Sequence, residues 1–473
     1  MMKKGLFINN EVVWTDDVME VENPATKEII GTVAKAGAKE ARAAVDAAAD
    51  ALQAWKSKTA AERSEYLMAW HARITEEEEA LGEGMTLEQG KPLAEAVGEI
   101  RYANSFLSWY AEEGKRVYGE TVPASAPNKR IIVQKQAIGV IAAITPWNFP
   151  AAMVTRKLGP ALAAGCTAVV KPSELTPFTA YRLAELALEA GIPKGVINVV
   201  TGDASAIGKA WMEDERVRKV SFTGSTAVGK LLMRQAADTV KKLSLELGGH
   251  APFIVTEHAD IAKAVKGLMG SKYRNGGQTC VCANRVYVHE SIKKSFTKAF
   301  IEEMSALKTG NGLSADSDIG PLVNQSAVEK VDKHLRDAEA KGGTLVYGQE
   351  PQETGGYYQT PVVVTNATDE MLCMNEETFG PLAPIASYET IEDVIERANQ
   401  TPFGLAAYVY SNDLTEAFMI SEALEYGIVG LNDGLPSVAQ APFGGMKESG
   451  LGREGGHWGI EEYLEVKYIS MQL

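Results

Sequence analysis

Cysteine is scarce in this chain, with four among 473 residues. So few cannot build a disulfide framework; they agree with a reducing compartment and leave any special thiol free for chemistry. Long apolar runs are missing too, since none approaches the roughly 20 residues that a membrane helix requires. The start, Met1-Met2-Lys3-Lys4-Gly5, is basic, but Leu6-Phe7-Ile8 is cut short by Asn9-Asn10-Glu11. No signal-peptide core follows, and a cytoplasmic location is expected. There is no dense Lys/Arg block, and the formal charge is −15. Neutralising phosphates needs a basic face, so nucleic acid is not expected as a partner, and an anionic small substrate would need local arginines inside its pocket. Two neighbouring thiolates would need two further ligands to hold a metal, and no second Cys/His cluster has that spacing, so no metal is expected.

What is present is the composition of a soluble globular protein, 45% hydrophobic and 23% charged. The length exceeds one simple core and predicts two large lobes. Residues 37–116 read as helices, with apolar positions at helical spacing in stretches such as Ala38 to Val45. From about 131 short β-branched runs alternate with helical windows, as in Val140-Ile141-Ala142-Ala143-Ile144, then 151–164, then Thr167-Ala168-Val169-Val170, and on to Lys242-Leu243-Ser244-Leu245. Repeated β-α-β units with short links predict a mostly parallel sheet covered on both faces, a Rossmann-like layout. A second series begins after Gly248-Gly249 with Pro252-Phe253-Ile254-Val255 and runs to about 440, so the sharpest boundary falls at 247–249. Segments 128–137 and 463–471 are strand-like, belong to neither series, and are expected to pair across subunits.

Two of the four cysteines stand one residue apart in Arg274-Asn275-Gly276-Gly277-Gln278-Thr279-Cys280-Val281-Cys282. A thiol is only a few per cent thiolate at pH 7 unless a base, dipole or cation lowers its pKa. Gly276 and Gly277 allow close backbone approach, and Arg274 supplies positive charge. Two buried cysteines in a glycine turn is the plainer reading. On an extended segment, residues two apart face the same side, so Cys280 and Cys282 could both line a pocket. A disulfide between them would close a small, strained ring and act as a reversible block.

Glu246 ends a strand just before Gly248-Gly249, where ligands bind in open α/β sheets, and between apolar neighbours it would have a raised pKa suited to a general base. A capping or ion-paired glutamate is the alternative. In Thr145-Pro146-Trp147-Asn148-Phe149-Pro150 a rigidly held Asn148 N–H could stabilise an oxyanion, a donor whose removal costs about 3 kcal/mol in other enzymes. Lys171-Pro172-Ser173-Glu174 follows a strand and offers groups for ribose hydroxyls; Phe222-Thr223-Gly224-Ser225-Thr226 precedes a helix whose N-terminus suits phosphate. The G-x-G-x-x-G fingerprint is absent, since Gly224 and Gly229 are spaced differently.

Together these segments, with Glu376-Glu377-Thr378-Phe379-Gly380-Pro381 and Pro442-Phe443-Gly444-Gly445 with Ser449-Gly450, resemble the aldehyde dehydrogenase superfamily over nearly the whole chain. The resemblance implies a cofactor domain from 1–117 and 139–247, a catalytic domain from 248–440, and oligomerisation strands at 118–138 and 460–473. It implies that Cys280 is the nucleophile, that Asn148 and the Cys280 N–H hold the oxyanion, that Glu246 activates water, and that Lys157 and Glu454 relay protons. Ile144, Thr145, Trp147, Asn148, Lys171, Ser173, Glu174, Gly224, Ser225, Leu247, Glu377 and Phe379 would contact the cofactor.

Within the superfamily, Arg274 to Asn284 most resembles succinate-semialdehyde dehydrogenases, which implies Arg156, Arg274 and Ser437 as a clamp for the substrate carboxylate and Cys282 as a redox partner. Guanidinium forks grip carboxylates in bidentate fashion. Glu174 would accept bonds from the adenine-ribose hydroxyls of NAD and repel a 2′-phosphate by roughly 1–4 kcal/mol at 4 Å, although Lys171 partly offsets this. NAD is therefore favoured, with NADP the second coenzyme it could use. The expected partner is a small aldehyde bearing a carboxylate, and the expected assembly a homodimer or homotetramer. Glutarate semialdehyde or a short hydroxyaldehyde such as lactaldehyde is the rival substrate. An acylating enzyme using coenzyme A and a catalytically silent structural protein are rivals of other kinds.

Overall fold

The computed structural model describes residues 1–348 and 355–473. The catalytic range expected at 248–440 includes 349–354, which lie outside the described residues.

The helical stretch forms as its periodicity requires. Helix Ala38–Lys56 opens with Glu40 accepting from the Gly37 N–H at 2.9 Å, and Ala60–Glu76 opens with a reciprocal capping box between Thr59 and Glu62. Ala41, Ala44, Val45 and Ala48 make one buried stripe on the first helix, and their small size lets Thr167 of a neighbouring strand donate to the Ala48 carbonyl at 2.7 Å. Glu78–Gln89 and Leu93–Glu113 complete this layer.

The α/β alternation gives a first sheet of eight strands, in the order Gly450–Leu451, Lys242–Glu246, Val217–Thr223, Val140–Ile144, Thr167–Lys171, Ile197–Val199, Leu6–Ile8 and Glu11–Val13. The five central strands are parallel, and the two N-terminal ones and Gly450–Leu451 join antiparallel. The N-terminal strands escape periodicity because each is three residues long, yet Leu6, Phe7 and Ile8 are all buried. The register aligns Lys171 with Ile144, Ile144 with Phe222, and Thr223 with Glu246. The expected functional positions therefore share one carboxyl edge.

The chain crosses at Gly248-Gly249 into a second sheet of seven strands, whose centre is Leu382–Tyr388, Ala283–His289, Ala251–Val255 and Ala406–Tyr410, all parallel. Helix Gln325–Ala340, capped by Asn324, was not evident as a pattern, since only Val331, His334 and Ala338 are buried in sixteen largely polar residues.

Segments 128–137 and 463–471 were expected to pair across subunits. Within the chain they pair with each other: Lys129–Ala137 and Leu464–Gln472 run antiparallel from Leu464↔Ala137 to Gln472↔Lys129, with Glu120–Val122 as third strand, and Leu464–Gln472 is left at the edge of the sheet. Nine consecutive residue pairs hold the two strands together within one chain. Among the described residues no helix is long and apolar enough to cross a membrane.

Candidate active site

Cys280 lies in a turn just ahead of the strand Ala283–His289, where the second sheet presents its amino edge to the carboxyl edge of the first. Asn275, Gly276 and Gly277 have φ of 52°, 63° and 79°, and this left-handed run turns the chain so tightly that a Cβ on Gly277 would stand 2.4 Å from the Gly380 carbonyl oxygen. A Cβ on Gly249 would meet the Cys280 carbonyl oxygen at 2.3 Å, so glycine there lets the interlobe link pass directly under the thiol loop.

Cys280 and Met153 line two adjoining cavities. One is a cleft of about 350 Å³ walled by Trp147, Gly224, Ser225, Leu247, Glu377 and Phe379. The other is a smaller hollow walled by Tyr102, Phe149, Arg156, Arg274, Ser437 and Phe443. A thiol where two cavities meet can touch a different molecule on each side.

Burial pushes the Cys280 thiol up to about 12; Arg156 opposes this, while the Glu377 and Glu246 carboxylates add to it. Burial likewise holds Glu246 well above the usual carboxylate range, helped by the charge of Glu454. Its Oε2 has no hydrogen-bond partner, which leaves that oxygen free for a proton. Glu454 is also buried, but Lys157 and Arg156 outweigh that and hold it below the usual range. Lys157 Nζ lies 2.5 Å from Glu454 Oε1 and donates to Thr223 Oγ1 at 2.7 Å. Two carboxylates with pKa values driven apart can divide acid and base roles between them.

Asn148 is buried, and its Nδ2 donates to the Gln278 carbonyl at 3.0 Å, which orients the amide and leaves its second N–H for a ligand. Arg156 lies on the fully buried helix Ala152–Ala164. Its Nε stands 3.0 Å from Glu454 Oε2, its guanidinium covers the Phe443 ring at 3.9 Å, and Nη2 has no partner. Arg274 rides over Phe149 at 4.8 Å and makes no ion pair among the described residues.

In the larger cleft Trp147 and Phe379 meet edge to face at 5.5 Å, Glu377 accepts from the Gly249 N–H at 3.1 Å, and burial raises the Glu377 carboxyl to about 7. Ser225 caps helix Thr226–Ala236, and a Cβ on Gly224 would strike the Phe222 ring at 2.5 Å. Ile144, Thr145, Lys171, Ser173 and Glu174 do not wall this cleft. They continue along the same sheet edge, where Thr145 N–H donates to the Lys171 carbonyl at 3.0 Å and Lys171 pairs with Glu174. A groove lined by Gly224 and Gly248 and ending at a helix N-terminus suits a dinucleotide. Among the described residues no group of three or more His, Cys, Asp or Glu is arranged to hold a metal.

Two expectations are corrected. Cys282 does not share the pocket with Cys280: the segment turns, since Cys282 N–H donates to the Thr279 carbonyl at 3.1 Å, and Val281 takes the wall position instead. The Cys282 sulphur is fully buried, 3.5 Å from Lys272 Nζ, and both thiols are free. Nor is Arg274 the main cation acting on the Cys280 thiol; Arg156 is. Tyr102 and Phe149 also line the hollow, and Asn324 and Lys330 the cleft, without having been expected there. Tyr102 and Lys330 sit at ordinary helical spacing and carry no local signal, whereas Asn324 could have been found as the cap before a charged helical run.

Residues 13–469 match the aldehyde dehydrogenase family. The NADP(+) succinate-semialdehyde dehydrogenase GabD of Escherichia coli strain K12 is 53% identical over 477 residues, which cover 100% of this chain and 98% of GabD. A glutarate-semialdehyde dehydrogenase of Pseudomonas aeruginosa is 53% identical over 462 residues, covering 97% of this chain and 96% of that protein. A solved E. coli NADP-dependent enzyme superposes with a TM-score of 0.98 at 53% identity, covering 100% of this chain and 98% of that one.

Proposed function

Because the chain belongs to the aldehyde dehydrogenase family and is an NAD(P)-dependent oxidoreductase, we propose that it oxidises succinate semialdehyde to succinate through a covalent adduct on Cys280. The observation that carries the substrate assignment is the unpartnered, buried Arg156 Nη2 beside the half-buried Arg274 in the hollow that adjoins the thiol. A buried donor without a partner is costly, and a carboxylate satisfies it in the geometry a guanidinium prefers. Ser437 adds a hydroxyl on the same wall.

The chain's own residues supply the following chemistry. Glu246 takes the thiol proton as Cys280 Sγ bonds to the carbonyl carbon. Asn148 Nδ2–H and the Cys280 backbone N–H hold the oxygen that becomes negative. The coenzyme held by Trp147, Gly224, Ser225, Glu377 and Phe379 supplies the hydride acceptor. Glu246 passes that proton on through Lys157 and Glu454 and is again free to take one from the water that attacks the thioester; the C–S bond breaks, and the leaving thiolate takes that proton from Glu246. Lys157 and Glu454 form a buried proton path behind Glu246. A carboxylate retained at 246 supports water over coenzyme A as acyl acceptor, and the joint presence of Cys280, Glu246 and Asn148 opposes a silent structural role.

For the coenzyme, Glu174 alone argued for NAD. Its pairing with Lys171 takes up part of that charge, and the E. coli relative's name carries NADP(+), so we assign use of both coenzymes, with NADP(+) accepted at least as well. The lobes expected at 1–117 with 139–247 and at 248–440 are proposed to carry coenzyme and nucleophile respectively, with 118–138 and 460–473 joining copies of the chain.

The test is a series of kcat/KM values for succinate semialdehyde, glutarate semialdehyde, lactaldehyde and butanal, each with NAD and NADP. Succinate semialdehyde is expected to lead, with butanal at least 100-fold lower. Equal values for butanal and the acids would refute the clamp, and a lead for glutarate semialdehyde or lactaldehyde would transfer the assignment. Thioester product in the presence of coenzyme A would refute hydrolysis.

A further inference from the structure

Beneath the loop that carries Asn148 lies a buried ion pair with no place in the chemistry above. Lys91 and Glu99 are 1% and 2% exposed and pair at 2.5 Å. Lys91 Nζ donates to the Asn148 carbonyl at 2.8 Å and stands 4.2 Å over the Phe149 ring. The other oxygen of Glu99 accepts from the Ala151 and Ala152 N–H groups at 2.9 and 3.2 Å, where helix Ala152–Ala164 begins. The Asn148 carbonyl takes a second bond from Asn275 Nδ2 at 3.0 Å, and Gln89 Nε2 orients Asn275 through Oδ1 at 2.9 Å. Gln89 closes the ring by accepting from the Lys91 N–H at 3.0 Å.

So deep a pair is a poor source of net stability, because withdrawing two charges from water offsets their attraction. What it supplies is geometry. Lys91 holds the backbone of Asn148 and Glu99 holds the residues just after it, so the loop is gripped on both sides of the side chain that is to meet the substrate oxygen.

We propose that the Lys91–Glu99 pair is the positioning element of the oxyanion site, holding Asn148 so that its spare Nδ2–H meets the developing charge. This rests on the reading of Asn148 as oxyanion donor. A displacement of about 1 Å there weakens a hydrogen bond that matters most in the transition state, so the loss falls on the chemical step and not on coenzyme binding.

The test is a double-mutant cycle on the full chain, read as the single-turnover rate of NAD(P)H formation. Asn148→Ala is expected to slow that step about 100- to 1000-fold, and Lys91→Met about 10- to 100-fold, with NADPH affinity by fluorescence titration within twofold of the parent. In the Asn148→Ala background, Lys91→Met is expected to change the rate by less than threefold, since there is no side chain left to position. Full additivity, or a parental rate in Lys91→Met beside a slow Asn148→Ala, would overturn the proposal alone. A parental rate in Asn148→Ala would remove the oxyanion reading and the proposal with it. Should Lys91→Met not fold, Glu99→Gln completes the same cycle, because it keeps a carbonyl for the 151 and 152 amides and loses only the charge partner.

Discussion

Arg156 Nε stands 3.0 Å from Glu454 Oε2 outside hydrogen-bond geometry, and neither atom has another partner. One guanidinium thus faces a carboxylate of the proposed proton path, the thiol of the proposed nucleophile Cys280 and the hollow assigned to the substrate's own carboxylate. Arg274, in contrast, lines the hollow and covers the Phe149 ring but is not among the groups that face Glu454.

That difference separates two arginines that composition alone would treat alike. Arg274→Gln is expected to lower kcat/KM for succinate semialdehyde by ~2–5 kcal/mol while leaving butanal within about threefold, as for removal of one side of a buried charge pair. Arg156→Gln is expected to slow both substrates, the acid more, because it also removes the cation that favours the Cys280 thiolate. Steady-state kinetics with both aldehydes check this, and an Arg156→Gln enzyme with unchanged butanal turnover contradicts the shared role.

The raised thiol sets the pH course of Cys280 labelling. With a pKa about 12, the thiolate fraction of the coenzyme-free protein rises about tenfold per pH unit throughout the accessible range. Iodoacetamide inactivation followed from pH 7 to 9.5 is expected to accelerate without a plateau, and Cys280→Ala to take up no label, since Cys166, Cys282 and Cys373 are buried. A plateau near neutrality is the contrary result.

Glu246 is a base only when ionised, and its folded pKa is raised by burial and by Glu454. The active form is therefore present above that raised value and is lost as pH falls through it. The acid limb of the kcat profile is expected well above the ordinary carboxylate range; a limb within that range would contradict the assignment. Glu246→Gln is expected to lower turnover about 100-fold. In acid-quenched samples analysed by mass spectrometry, an acyl group retained on Cys280 would distinguish slow hydrolysis from slow attack.

The small terminal sheet bears on assembly. Leu464–Gln472 is an edge strand, and Val466, Tyr468 and Leu473 are 67%, 59% and 66% exposed. An unpaired apolar edge is a ready template for another chain. Light scattering is expected to show a dimer or tetramer for the parent and a smaller species for Val466→Lys/Tyr468→Lys; an unchanged mass would refute the assembly role.

Much of this arrangement was legible residue by residue. The central strands and helices follow from alternations that any local window reveals, and Cys280, Glu246 and Asn148 stand out because few residue types can act as nucleophile, base and rigid amide donor. Less was legible where the signal is short or long-range. Three-residue strands have no period, Tyr102 and Lys330 look like ordinary helix positions, and the orientation of Cys282 depends on one turn that two adjacent cysteines do not encode.

Local order and chemical type thus belong to the linear chain, because side-chain period, glycine and proline act over a few bonds. The working state of those groups does not. Asn148 meets Gln278 across 130 residues, where the two sheets face each other, and Lys157 meets Glu454 across 297, where the C-terminal stretch returns to the first sheet. Burial and Coulomb interaction depend on distances in space, so the ionisation of Cys280, Glu246 and Glu454, and the partnerless donor of Arg156, arise when the lobes close around them.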